Sequence, residues 1–477
     1  MMSECPDPQR PLWQWSACET ADAIARGEIS AREAVAAAVE RMRAINPKLN
    51  AVVDDLGDAA LAEASRLDAL QASGERLGPL HGVPITIKEN IDQQGRATPN
   101  GVAAFKDIIA PADSPFVGNM KKAGAVVIGR TNTPEFSFRA TTDNELHGRT
   151  FSPWNDWVSP GGSSGGASSA VMSGMGALAH GNDIGGSLRY PAAATGAATV
   201  KPGLGRIPAY NPSATAERGL LAQLMSVQGV IAREVADVRL AMRSAIAYDP
   251  HDPWMVAMPF DGPREEGPIR VAFTRNTYDF DLHPAVERAL EAARDALADA
   301  GYHVEEVETP DVGEIAREAT SCLFGEVKTL LGADIRKYGS QAVNAIFDDY
   351  FQIFPPYEGN DLLLGMARRS RYVRQWMLFQ QQWPLVLSPF LPAPTYAWDR
   401  DAQGIEGVRE VLGAGLYSYA MNFLGIPAGN IAANFHDGLP VGVQISGRRF
   451  REDMVLDACE AVERRVGIMA EKLFARG

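Results

Sequence analysis

The chain predicts a layered α/β fold carrying an N-terminal helical arm, and three observations support that prediction. Strand-like 83–87, a helical pattern over 115–123, strand-like 125–128 and a small-residue helix over 167–179 follow one another in a βα rhythm. Residues 16–72 ahead of them read as helical. No Ser/Gly-rich or Pro-rich linker divides the 477 residues, of which 46% are apolar and 22% charged, so a single domain is expected where length alone suggests about three.

Each element has a local cause. Ser30-Ala31-Arg32-Glu33 is a capping box that opens an Ala/Val-rich amphipathic helix, expected to run to about Ile45 and to stop at Asn46-Pro47. The β-branched run Ile85-Thr86-Ile87 delivers Lys88 to a strand end. In the helix expected over 167–179, Ala167-Ser168-Ser169-Ala170 and Gly174-Met175-Gly176 are small enough to lie close to neighbouring backbone. Between 310 and 400 the pattern is mixed helix with aromatics, including Phe351, Phe354, Tyr357, Trp376, Phe379, Trp383 and Phe390, most of which amphipathic packing explains.

A net charge of −14 argues against a polyanion, so no nucleic-acid partner is expected. The four cysteines, Cys5, Cys18, Cys322 and Cys459, form no CxxC pair and have no zinc-like spacing to histidine. A reducing cytoplasm and no metal are the reading. Residues 1–8 lack a basic start and an apolar core of signal-peptide length, and no apolar run approaches the roughly 18–20 residues of a membrane span. No membrane partner is expected.

The chemistry concentrates in two glycine-rich turns, Gly161-Gly162-Ser163-Ser164-Gly165-Gly166 and Asp183-Ile184-Gly185-Gly186-Ser187. Glycine admits positive φ and close backbone approach, so successive N–H groups can point at a developing oxyanion. Two serines with Lys88 suffice for a hydrolase. A rival reading takes Gly161-Gly162-Ser163-Ser164-Gly165 as the G-x-S-x-G elbow of an α/β-hydrolase esterase, with Ser163 as nucleophile and a late histidine such as His436. Against it, residues 154–160 look like a turn where a strand should lead in. A dinucleotide fingerprint is echoed by Gly174-x-Gly176-x-x-Ala179, but at the end of an expected helix and with no P-loop Gly-Lys-Ser/Thr.

These residues resemble the amidase signature hydrolases, whose lysine, cis-serine and nucleophilic serine are matched in order and spacing by Lys88, Ser163 and Ser187. The likeness extends to Thr131-Asn132-Thr133-Pro134-Glu135-Phe136, Lys201-Pro202-Gly203 and Gly438-Leu439-Pro440-Val441-Gly442-Val443-Gln444. It implies a large mixed, twisted sheet covered by helices on both faces. Within one domain it implies a helical arm over 1–75, a catalytic core over 76–235, a variable cleft region over 236–400 and a closing part of the core over 401–477.

The resemblance also implies a set of roles. Ser187 is the nucleophile, and a hydroxyl needs an adjacent base to lose its proton as it attacks. Ser163, preceded by a cis peptide bond, relays that proton to Lys88, which can accept it only if burial keeps the amine uncharged. The backbone N–H groups of Ile184, Gly185, Gly186 and Ser187 form the oxyanion hole. Asp183 and Arg189 pair, or cap backbone groups, to hold that turn, Ser164 hydrogen-bonds within its own loop, and Gln444 supports the final strand. Phe136 and Phe138 border the acyl cleft, with Cys322 as a small buried hydrophobe of the same region. Asn182 stands where threonine is most frequent in the family, a variation shared by some members acting on cyclic or oligomeric amides. The implied activity is cleavage of a carboxamide C–N bond in a small-molecule substrate through a seryl acyl-enzyme, without cofactor, extending to esters or carbamates. A homodimer is compatible with it. A glutamine amidotransferase subunit is the alternative within the family.

Overall fold

A computed structural model describes residues 10–476. Among the described residues there are eleven strands: β1 (Val52–Asp55), β2 (Pro84–Lys88), β3 (Val126–Thr131), β4 (Leu178–Asp183), β5 (Ala198–Lys201), β6 (Val227–Ala232), β7 (Arg270–Phe273), β8 (His303–Glu306), β9 (Leu385–Pro389), β10 (Ala428–His436) and β11 (Leu439–Gly447). They form one sheet in the order β1-β3-β2-β4-β6-β5-β10-β11-β9-β7-β8. β2 runs parallel to β3 and β4, and β7 runs parallel to β8 and β9. The strands from β4 through β6, β5, β10 and β11 to β9 pair antiparallel. The sheet is therefore mixed.

Side chains of a strand alternate between faces, and both faces of this sheet are covered. On β10, Ile431 and Ala433 pack with residues of the helices Val235–Ala245, Pro284–Asp299 and Glu452–Val466. Ala432 between them packs with residues of Gly165–Met172 and Arg189–Thr195. Two opposed apolar layers hold the central strands rigid. Trp376 and Phe390 are buried in a further core cluster, as the packing reading of the aromatics expects.

The N-terminal arm departs from an all-helical reading of 16–72. Its helices Ala17–Arg26 and Ala31–Leu49 both open on reciprocal capping boxes, Ser16 with Glu19 and Ser30 with Glu33, each worth about 1 kcal/mol. The second helix continues past Pro47 to Leu49 and closes on Asn50 at φ 48°. Pro47 falls in the last turn, where it removes one N–H bond to the Arg43 carbonyl and the helix ends within two further residues. Asn46 does not stop the helix; its Oδ1 accepts the N–H groups of Ala51 and Val52, each at 2.9 Å. That contact starts β1, which pairs antiparallel with β3. A four-residue strand was too short to show against the helical pattern around it.

The strands expected at 83–87 and 125–128 form as β2 and β3, and the helix expected over 115–123 spans Pro115–Lys122. The helix expected over 167–179 instead occupies Gly165–Met172, and the chain enters β4 at Leu178. Gly174 and Gly176 lie between them with φ of 81° and 99°. A Cβ on Gly174 would stand 2.3 Å from the Trp13 ring. Those glycines make a turn under a tryptophan and leave nothing for a nucleotide. Among the described residues no helix is long and apolar enough to cross a membrane. Cys18, Cys322 and Cys459 are free thiols, and Cys5 lies outside the described residues.

Candidate active site

β2 and β4 are parallel neighbours, so their carboxyl ends open on one edge of the sheet, where α/β folds bind ligands. Lys88 is the last residue of β2, and Asn182 and Asp183 are the last two of β4. All five residues of β2 are buried, which draws the lysine inside with them. Lys88 Nζ lies 2.7 Å from Ser163 Oγ, 3.1 Å from Ser164 Oγ and 2.9 Å from Asn182 Oδ1. Burial pushes its pKa well below the ordinary lysine value, against the opposing pull of Asp183 and Glu89. The amine thus meets the burial requirement.

Ser163 is fully buried, and the Gly162–Ser163 peptide is cis. Thr142 clamps this turn from both sides: its hydroxyl donates to Gly161 O at 2.9 Å and accepts from the Gly165 N–H at 3.1 Å. The Ser164 N–H donates to Ser187 O at 3.3 Å, which ties the two glycine-rich turns together. Gly181 permits this approach, because a Cβ there would meet Ser164 Oγ at 2.8 Å. Among the described residues no strand leads into the first turn and no histidine is hydrogen-bonded to Ser163, whose side-chain partner is Lys88; the His436 ring lies 5.9 Å from that of His283. The esterase reading lacks its base.

The second turn is pinned by a buried ion pair. Asp183 and Arg189 are both fully buried, and Arg189 Nε and Nη2 each donate to the carboxylate at 3.0 Å. Burial alone would raise the Asp183 carboxyl, but the Arg189 charge and hydrogen bonds, with Lys201 and the Gly186 N–H, hold it below its ordinary value. Arg189 Nη1 donates to Gln444 Oε1 at 2.8 Å, and Nη2 also lies within reach of Ser418 O at 3.1 Å and Asn422 Oδ1 at 2.5 Å. The Asp183 carboxylate also accepts the N–H groups of Gly186 at 2.7 Å and Leu188 at 3.2 Å. This corrects the set of four oxyanion donors: the Gly186 N–H is held by Asp183. Among the described residues the N–H groups of Ile184, Gly185 and Ser187 make no such bond.

Ser187 is partly exposed and opens on a cleft walled by Phe138, Ile184, Leu323, Phe324, Tyr350 and Tyr419. The hydroxyls of Tyr350 and Tyr419 lie 2.5 Å apart, and that of Tyr419 also donates to Leu412 O at 2.7 Å. Their polar ends are occupied, and the walls are apolar and aromatic.

Two expected cleft residues lie elsewhere. Phe136, at φ 55°, turns toward Phe105, 6.1 Å between ring centroids, whereas Phe138 two residues on stays at the cleft. Cys322 faces the helix Gly359–Gln382, with its Sγ against Gly365, and burial followed by the Glu318 charge pushes its thiol up to about 12. It is inert packing. Thr320, Leu323 and Phe324, on the same helix, line the cleft in its place. Their i, i+3, i+4 spacing was the signal available for them.

Residues 33–456 match the family model described as Amidase. The chain belongs to the amidase signature family. This amidase is 49% identical over 468 residues, 98% of its own length and 89% of the relative's, to Indoleacetamide hydrolase of Bradyrhizobium diazoefficiens. It is 46% identical over 80% of its length and 82% of the relative's to an Indoleacetamide hydrolase of Bradyrhizobium japonicum. Its fold matches that of a bacterial aryl acylamidase of the amidase signature family with a TM-score of 0.84 at 26% identity, covering 97% of this chain and 99% of that one. The amidase is a hydrolase of amide C–N bonds that works by serine-based catalysis on a small-molecule amide.

Proposed function

We propose that this amidase hydrolyses arylacetamide-type primary amides, indoleacetamide among them, through an acyl-enzyme on Ser187. The observation that carries the reading is the 2.7 Å contact of a fully buried Lys88 amine with Ser163 Oγ, next to a turn whose Ser187 opens on an aromatic cleft. Uncharged Lys88 takes the Ser163 proton while Ser163 takes that of Ser187, whose oxygen attacks the substrate carbonyl. The N–H groups of Ile184, Gly185 and Ser187 receive the oxyanion, where one such donor is typically worth about 2.7–4 kcal/mol of barrier. The proton returns along the same path to the leaving nitrogen, ammonia departs, and water repeats the sequence to free the acid. Esters and carbamates share the carbonyl geometry and fall within the same reading. The names of the two relatives and the rings of Phe138, Phe324, Tyr350 and Tyr419 support a flat aromatic acyl group.

The test is ammonia release from indoleacetamide, together with an intact-mass shift from a fluorophosphonate mapped to Ser187. No release, or an adduct at another serine, overturns the reading. A second expectation concerns pH. A base active only when uncharged makes kcat/KM fall toward acid as Lys88 gains its proton and level off above its pKa, which burial sets well below the ordinary lysine value. A rate flat from about pH 5 to 9 with chemistry limiting contradicts the assignment.

A further inference from the structure

The lysine's third partner is unexplained by the relay, and it begins a chain of side-chain amides. Asn182 Oδ1 lies 2.9 Å from Lys88 Nζ, while Asn182 Nδ2 donates to Asn90 Oδ1 at 3.0 Å. Asn90 Nδ2 in turn donates back to Asn182 Oδ1 at 3.2 Å and to Ser137 Oγ at 2.9 Å. Ser137 Oγ donates to Asn100 Oδ1 at 2.6 Å and stands 3.0 Å from Thr133 Oγ1. Ser137 itself holds φ 58° at the cleft.

This network has a single consistent direction. Ser137 has one proton, which goes to Asn100, so it accepts from Asn90. Asn90 then turns its nitrogen to Ser137 and to Asn182 Oδ1 while its oxygen accepts from Asn182 Nδ2, which leaves the Asn182 oxygen facing both Asn90 and the lysine. An uncharged amine has two N–H groups and one lone pair, and here it has three neighbours. With one N–H on Asn182 Oδ1 and the other on Ser164 Oγ, the lone pair is left for Ser163.

We infer that Asn182, oriented by Asn90, is a positioning residue that aims the Lys88 lone pair at the Ser163 hydroxyl. The inference rests on the base assignment proposed above. Its consequence is directional: Ser163 must donate to Lys88, and its free lone pair is then available to take the Ser187 proton. The charged groups around the amine are few. Asp183, at the end of β4, and Glu89, next to Lys88, face it, paired respectively with Arg189 and His147. His180 on β4 is depressed to about 3 by burial and stays uncharged.

The test compares kcat, KM and pH profiles of Asn182→Leu, Asn182→Asp, Asn182→Thr, Asn90→Ala and the Asn90→Ala/Asn182→Leu pair with those of Lys88→Met. Asn182→Leu is expected to lower kcat roughly 30- to 100-fold with KM changed less than about threefold, since the loss is of aim and not of binding. Asn182→Asp sets a carboxylate against the amine and holds it protonated, so its acid limb moves up by about one pH unit or more and activity returns at alkaline pH. Asn182→Thr keeps an acceptor oxygen and stays within about tenfold of wild type. The double variant is no slower than Asn182→Leu alone, because both residues act through one oxygen. If Asn182→Leu is within about threefold of wild type and the Asn182→Asp profile does not move while Lys88→Met is inactive, Asn182 is structural only. If Lys88→Met retains activity, the base assignment itself has failed. Should Asn182→Leu not fold, the aspartate and threonine variants, which keep an acceptor, carry the comparison.

Discussion

Lys88→Met is expected to lower amide turnover by at least about a thousandfold while the protein stays folded. Methionine fills much the same volume on an unbranched stem, so the buried end of β2 keeps its packing. What it lacks is a basic nitrogen 2.7 Å from Ser163. The stability side has opposing terms. An unfolded lysine holds its proton up to about pH 10.4, whereas the buried one releases it well below the ordinary value. Between the two values the unfolded chain binds more protons, so the native lysine weakens the fold progressively as pH falls, and methionine removes that dependence. Against this gain stand the lost partners of Ser163, Ser164 and Asn182. The melting temperature therefore changes little near neutrality. Ammonia release and fluorophosphonate labelling check the result; a variant within tenfold of wild type would mean the base lies elsewhere.

Arg189→Met carries the largest expected effect on stability. It leaves the Asp183 carboxylate buried without its partner, a loss of about 3–5 kcal/mol when one member of a buried pair is removed. Both side chains are fully enclosed, so water offers no compensation. Gln444 and Asn422 lose a partner as well. Arg189→Lys is expected to rescue only part of the loss, because one ammonium cannot reproduce a fork that reaches Asp183, Gln444, Ser418 and Asn422 together. Urea unfolding read at the transition midpoint measures it, and a change below about 1 kcal/mol would show that the turn is held by other means.

How far the amino-acid pattern could be read depended on how local each cause was. The capping box at Ser30, the strand run into Lys88 and the spacing of the two glycine-rich turns were legible because each lies within a few residues. The end of the helix at Met172 has a local cause, the left-handed Gly174 just past its cap, which is masked when Gly174 and Gly176 are taken as small packing residues of a longer helix. β1 was missed because its pairing with β3 is a tertiary contact with no periodic signature of its own. At the site, the approach of Lys88 to Ser163 and the pairing of Asp183 with Arg189 are legible in the sequence, whereas the Gly186 N–H, expected to face substrate, is taken by a carboxylate three residues before it. The cleft was least legible. Ring positions such as Phe136 and Phe138 differ in direction by a backbone φ that no pattern of residues displays.

The anchors of the oxyanion turn have a consequence for biosynthesis. Arg189 finds its outside partners in Ser418, Asn422 and Gln444, 229 to 255 residues further along the chain. A growing chain has both serines and the lysine outside the ribosome long before these arrive, yet nothing then shields the arginine or steadies the turn it holds. Hydrolytic competence thus waits on this distant segment, and fragments ending before Ser418 are expected to carry every reacting atom and still be idle.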